Sequence, residues 1–215
     1  MTIRRQNRRG FTLVELSIVL VIIGLIIGGV LTGQQIIQNA RITNALNTIQ
    51  AYEAQFQTYV QNYGALPGDD ASALTRFPNS GLSSTVGNGD GALQGTFDST
   101  TASDETRLLW ADMRASGLVK NQVGAGNTTQ PPDPFNGIYG FQNGAFGGAF
   151  TTTVLCMNGV PAAAAQAIDA RLDDGAPNSG NVQAMISTGA VGEAVTGSPA
   201  ANYGTGQTYT VCARM

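Results

Sequence analysis

An apolar run dominates the start of the chain. From Phe11 to about Leu31 nearly every position is Leu, Ile, Val or Gly, and one carboxylate, Glu15, interrupts it. The run is close to the ~20 residues that cross a bilayer as a helix. A helix apolar on all sides belongs in lipid or in a bundle core. Beyond this run the pattern changes without a break. Ile42, Leu46, Ile49, Phe56, Val60 and Tyr63 recur at spacings of three and four, with Glu53 interrupting the row. Arg41, Asn44, Asn47, Gln50, Gln57 and Gln61 take the opposite face. This is the stripe of an amphipathic helix laid on a globular head. No proline lies between Phe11 and Tyr63, so the pattern predicts one helix of roughly 80 Å over 11–63.

Turn chemistry follows at Gly64-Ala65-Leu66-Pro67-Gly68-Asp69-Asp70 and ends the helix. Residues 64–103 read as loop. Asp104–Ser116 predicts a short helix, with Ser103 or Asp104 as N-cap and Gly117 as the stop. Strand composition marks Gly137–Phe141, Phe150–Met157, Asn181–Thr188 and Gln207–Arg214. A helix over Pro161–Leu172 places proline in the first turn, where its missing N–H does no harm. The fold class is therefore α+β, a helical spine whose outer half carries an antiparallel sheet.

Charge and composition narrow the function. A length of 215 residues holds one sizeable domain plus an anchor. A net charge of −3 excludes a general nucleic-acid binder. Basic residues gather at Arg4, Arg5, Arg8 and Arg9, which keeps the start cytoplasmic and sends the remainder across the membrane. The chain has no histidine, so histidine-based triads, Cys-His pairs and histidine metal sites are ruled out. No catalytic residue is predicted. The two cysteines, Cys156 and Cys212, suggest a disulfide in an exported domain, with two buried thiols as the alternative.

Glu15 is the position that demands an explanation. An ionisable group in hydrocarbon costs roughly 2.5–3.5 kcal/mol on insertion scales, and the apolar run downstream offers no cation. Cleavage after Gly10 would supply one, the α-amino group of Phe11. The stretch Gly10-Phe11-Thr12-Leu13-Val14-Glu15-Leu16 resembles the processing site of type IV prepilins and of type II secretion pseudopilins. The resemblance covers about the first thirty residues. It implies cutting between Gly10 and Phe11 by the prepilin peptidase, a membrane aspartyl protease, and N-methylation of Phe11. It also implies that Glu15 pairs with the N-terminal amine of a neighbouring subunit. The expected partners are further copies of the chain in a helical filament, an inner-membrane assembly platform, and lipid before assembly. Location follows: a single-pass inner-membrane precursor, then a surface filament.

The expected organisation is a leader over 1–10, a transmembrane or filament-core helix over 11–35, and a pilin-like head over 36–215 that includes the helix to about 63. The rival readings are a type II pseudopilin and a minor pilin whose head binds DNA or a receptor. The long head and cysteine pair favour a surface pilus, and the scattered basic residues after Arg41 show no patch. Gly24/Gly28 and Gly29/Gly33 have the four-residue spacing of close helix packing. With no proline nearby, Gly28-Gly29 is also where any local melting of the helix would start. Tyr52, Phe56, Tyr59 and Tyr63 are expected in the core rather than stacking on nucleic acid.

No cofactor is implied, but two acidic clusters raise calcium as a candidate. Asn88 and Asp90 open one, with Asp69, Asp70 or Asp98 as potential neighbours, and Asp169, Asp173 and Asp174 form the other. Neither has the full calcium-loop pattern. The Ser99–Ser103 stretch and Asn127-Thr128-Thr129 are candidate sugar acceptors.

Overall fold

A computed structural model describes residues 10–78, 82, 87–120, 127–187 and 195–215. Arg4, Arg5, Arg8, Arg9 and Thr188 lie outside the described residues. The chain divides into two units, Met1–Ala40 and Arg41–Met215. One helix, α1 (Leu13–Tyr63), contributes to both. It is helical through Gly28 and Gly29, and Thr32 Oγ1 donates to the Gly28 carbonyl at 3.1 Å.

The larger unit is built on the outer turns of α1. Ile42, Ala45, Ile49, Phe56 and Tyr59 are buried, and Leu46, Tyr52 and Val60 pack beside them. Against this stripe lie α3 (Glu105–Ala115), α4 (Ala162–Leu172) and an antiparallel sheet. The sheet comprises β1 (Tyr139–Ala145), β2 (Phe150–Pro161), β3 (Val182–Ile186) and β4 (Thr208–Arg214), in the order β1-β2-β4-β3. α2 (Ala73–Arg76) is a single turn in the loop after α1.

Alternation gives the sheet two faces. Tyr139, Phe141, Leu155, Met157, Val182, Ala184, Tyr209 and Val211 point to the helices. Of the aromatic stripe, Phe56 and Tyr59 are buried and Tyr52 packs against the core as expected, whereas Tyr63 is half-buried beside Phe77 and Arg76. Tyr52 meets Trp110 edge-on at 5.0 Å between centroids, and Phe56 stacks on Phe141 at 5.3 Å. The reverse face carries Val154, Cys156 and Cys212 under Phe97, Phe146 and Val195. Cys156 and Cys212 are direct cross-strand partners and form the expected disulfide. Gly140, opposite Cys156, has to be glycine, because a Cβ there would lie 1.9 Å from the Phe97 carbonyl oxygen.

Several boundaries differ from the sequence reading. β1 spans Tyr139–Ala145 rather than Gly137–Phe141. β2 does not stop at Met157. The pairing shifts between Met157 and Val160, Gly159 takes a φ of +70°, and the strand resumes to Pro161. Asn158-Gly159 is thus a bulge within the strand. Pro161, extended at ψ 145°, is the N-cap of α4 and not part of its first turn.

A buried acidic network joins α1 to α3. Tyr59 donates to Asp70 Oδ2 at 2.9 Å, Arg76 Nε donates to the same oxygen at 3.1 Å, and the Gly68 N–H donates to Asp112 Oδ2 at 2.7 Å. Burial raises the pKa of Asp70, but the bonds from Arg76, the Ser72 N–H and Tyr59 outweigh it and hold the group low. Asp112 has only the Gly68 N–H and a distant Arg76 against burial and the Asp70 charge, and is pushed up to about 7. A raised carboxyl pKa means stability fully present below about pH 4 and lost as pH rises through about 7. Asp70 acts oppositely, and its contribution is lost only in stronger acid. The full chain in detergent should therefore melt at a lower temperature at pH 8 than at pH 5. Asp112→Asn should remove much of that difference in thermal scans, and an undiminished difference refutes the assignment.

Candidate functional site

The helix start is the site that the sequence singled out. Leu13 is the first helical residue, so Thr12 occupies the N-cap and Glu15 the third helical position. The first helix N–H groups have no intrahelical acceptor. Here the Thr12 N–H donates to Glu15 Oε2 at 2.8 Å, and the Thr12 hydroxyl donates to the same oxygen at 2.9 Å. The Glu15 N–H donates back to Thr12 Oγ1 at 3.2 Å. This reciprocal pair is a capping box. The helix N-terminus also favours negative charge at this position. Glu15 therefore has neutral partners inside its own chain, which the sequence reading missed. The Thr-x-x-Glu spacing ahead of an apolar run was the available signal.

Around it the helix surface is apolar and open. Phe11, Leu13, Leu25 and Leu31 are among its exposed large side chains. Among the described residues α1 is the one helix long and apolar enough to cross a membrane, and none of its apolar window is buried. A Cβ added at Gly24, Gly28, Gly29 or Gly33 would meet nothing within 4 Å. Packing within the chain thus places no demand for glycine at these positions.

The acidic clusters form, with partial changes in membership. Asp69, Asp90 and Glu105 bring carboxylate oxygens within 4.8 Å of one another. Asp69 accepts the N–H groups of Gly89, Asp90 and Gly91 at 2.6, 3.2 and 2.7 Å. Glu105 accepts those of Asn88 and Gln94 at 3.0 and 2.9 Å. A calcium loop turns oxygens inward, whereas residues 88–94 turn N–H groups onto two carboxylates. Glu105 was missed in the sequence, since nothing local marks it. Asn88 Nδ2 donates to Asp90 Oδ2 at 3.0 Å, and Asp70 faces Tyr59 and Arg76 instead.

Asp169, Asp173 and Asp174 form the second group. Asp169 accepts Gly175 N–H at 3.1 Å and the Tyr203 hydroxyl at 2.7 Å. Asp173 accepts the N–H groups of Asn181 and Val182. Asp174 accepts Ser179 Oγ at 2.5 Å and Ala176 N–H at 2.9 Å. These oxygens close the α4–β3 loop. The Asn127–Thr129 triplet serves α3: Arg107 donates to the Thr128 carbonyl at 2.6 Å, and Arg114 donates to those of Asn127 and Thr129.

Residues 5–31 match the family profile described as the prokaryotic N-terminal methylation motif. The motif is characteristic of type IV pilins and pseudopilins, and its span contains Gly10, Phe11 and the capping box. No curated protein matches the chain.

Thr12→Val removes the hydroxyl that serves Glu15 from both sides. Loss of such a cap costs about 1 kcal/mol, so the Glu15 amide should exchange hydrogen about fivefold faster in micelles. Unchanged exchange by NMR refutes the capping box.

Proposed function

We propose that this chain is the precursor of a structural subunit of a type IV pilus. Residues 1–10 are removed between Gly10 and Phe11 by the prepilin peptidase, and the new Phe11 amine is methylated. The mature chain waits in the inner membrane on the apolar half of α1 and then polymerises through it at an assembly platform. The observation that carries this reading is Glu15, a carboxylate at the head of an exposed apolar helix inside the matched motif.

The energetics support assembly by packing rather than by hydrophobic transfer. Lipid is as apolar as a filament core, so moving α1 between them gains little from water exclusion. Glycines that meet nothing within 4 Å allow a neighbouring helix to come close. In that core Glu15 exchanges neutral hydrogen bonds from Thr12 for the α-amine of a neighbouring Phe11. A subunit docked in the wrong register leaves a charge unpaired in a dry interior, which is strongly destabilising.

The disulfide between β2 and β4 suits an oxidising compartment beyond the cytoplasm, and the long head is what favours the pilus form of this reading over a secretion pseudopilus. Catalysis has no support, since the carboxylate clusters are engaged in fold-closing hydrogen bonds.

Mass spectrometry of sheared filaments should find the chain beginning at methylated Phe11. Glu15→Val should retain leader removal while filaments vanish, and normal filament yield would refute the pairing. Gly10→Val should accumulate uncut precursor in membranes.

A further inference from the structure

We propose that Glu53 pairs with Arg41 of a second copy of this chain, and that this contact between neighbouring α1 helices fixes their stagger. It rests on the filament reading above and adds a second charged contact far from the helix start. α1 carries three charged residues, Glu15, Arg41 and Glu53. Glu15 is served by Thr12. Among the described residues neither the Arg41 nor the Glu53 side chain has a hydrogen bond or ion pair.

Glu53 is half-buried. It borders a groove of about 390 Å³ shared with Leu172, Asn181, Val182, Ala213 and Arg214. Arg214 is turned to other partners: it donates to Asn181 Oδ1 at 2.9 Å and lies 6.0 Å from the centroid of the Phe150 ring. The groove therefore joins an unpaired carboxylate to an apolar floor of Leu172, Val182 and Ala213. An arginine matches both features, with its methylene stem on the floor and its fork on the carboxylate.

Arg41 is exposed, and α1 offers no other cation to a neighbour. The two residues stand 12 apart in sequence, about 18 Å along the helix axis. Parallel α1 helices displaced by that distance bring Arg41 of one copy beside Glu53 of the next. A slip of one turn, about 5.4 Å, parts them and leaves a half-buried carboxylate unpaired.

The test is a charge swap in the full chain, read as the yield of sheared surface filaments. Arg41→Glu and Glu53→Arg should each lower the yield at least about fivefold, and the double variant should return it to within about twofold. Single variants at wild-type yield, or a double variant no better than the worse single, overturn the pair. Formation of the Cys156–Cys212 disulfide in each variant guards against misfolding. Arg41→Cys combined with Glu53→Cys gives a second readout. A bis-maleimide linker, which spans the Cα separation of an arginine–glutamate pair that a disulfide cannot reach, should join filament subunits into a ladder of linked chains, and monomers alone overturn the proposal. A wild-type chain found only as monomer would bring down the filament reading and the pair with it. A filament indifferent to the swap brings down the pair alone.

Discussion

A carboxylate at the mouth of a membrane-length apolar helix needs hydrogen-bond donors wherever the helix goes. Water supplies them at a surface, but neither lipid nor a packed helical core does. Thr12 supplies two at once, its amide and its hydroxyl, both on Glu15 Oε2. The arrangement is local, so it travels with the chain and needs no partner. It is also weak, because neutral donors offset less of a buried charge than a cation does. On the filament reading this difference drives exchange of Thr12 for a neighbour's terminal amine, and neutral capping in one setting and ionic pairing in the other become two answers to one requirement.

Backbone N–H groups solve the corresponding problem in the larger unit. Asp69 and Glu105 are buried. Together they accept five N–H groups from residues 88–94, tying that loop to the turn after α1 and to the start of α3. Asp169, Asp173 and Asp174 do the same after α4. These carboxylates organise loops that have few apolar side chains to anchor them. Clusters of acid in a Gly- and Asn-rich stretch look like cation sites for this reason, since both need oxygens converging near the backbone.

How much of this was legible in the sequence follows the range of each interaction. The helix stripe, the strands and the core role of the aromatic row came from period and composition, which are local properties. The cysteine pairing was suggested by export, and register confirms it, with Cys156 directly opposite Cys212. The β2 boundary was misplaced because Asn158-Gly159 has the chemistry of a turn, and only pairing with β4 shows that the strand resumes. Glu105 and the Arg107 and Arg114 clamps on residues 127–129 were invisible because each joins segments distant in sequence. The capping box was local and readable. A carboxylate in an apolar run asks first for a cation, whereas Glu15 has two neutral donors on Thr12, three residues back.

The placement of charge also bears on which part of the chain meets other molecules. Arg76 pairs with Asp70, Arg107 and Arg114 donate to loop carbonyls, and Arg214 donates to Asn181. Most of the head's arginines thus hold the fold together, which weakens a reading in which the head grips an acidic polymer. α1 shows the opposite economy. Its apolar half is exposed, its glycines meet nothing within 4 Å, and its outer charges have no partner among the described residues. A helix with apolar surface, packing faces and charge all unmatched is incomplete alone. On the filament reading, parallel copies of the same helix supply that complement to each other.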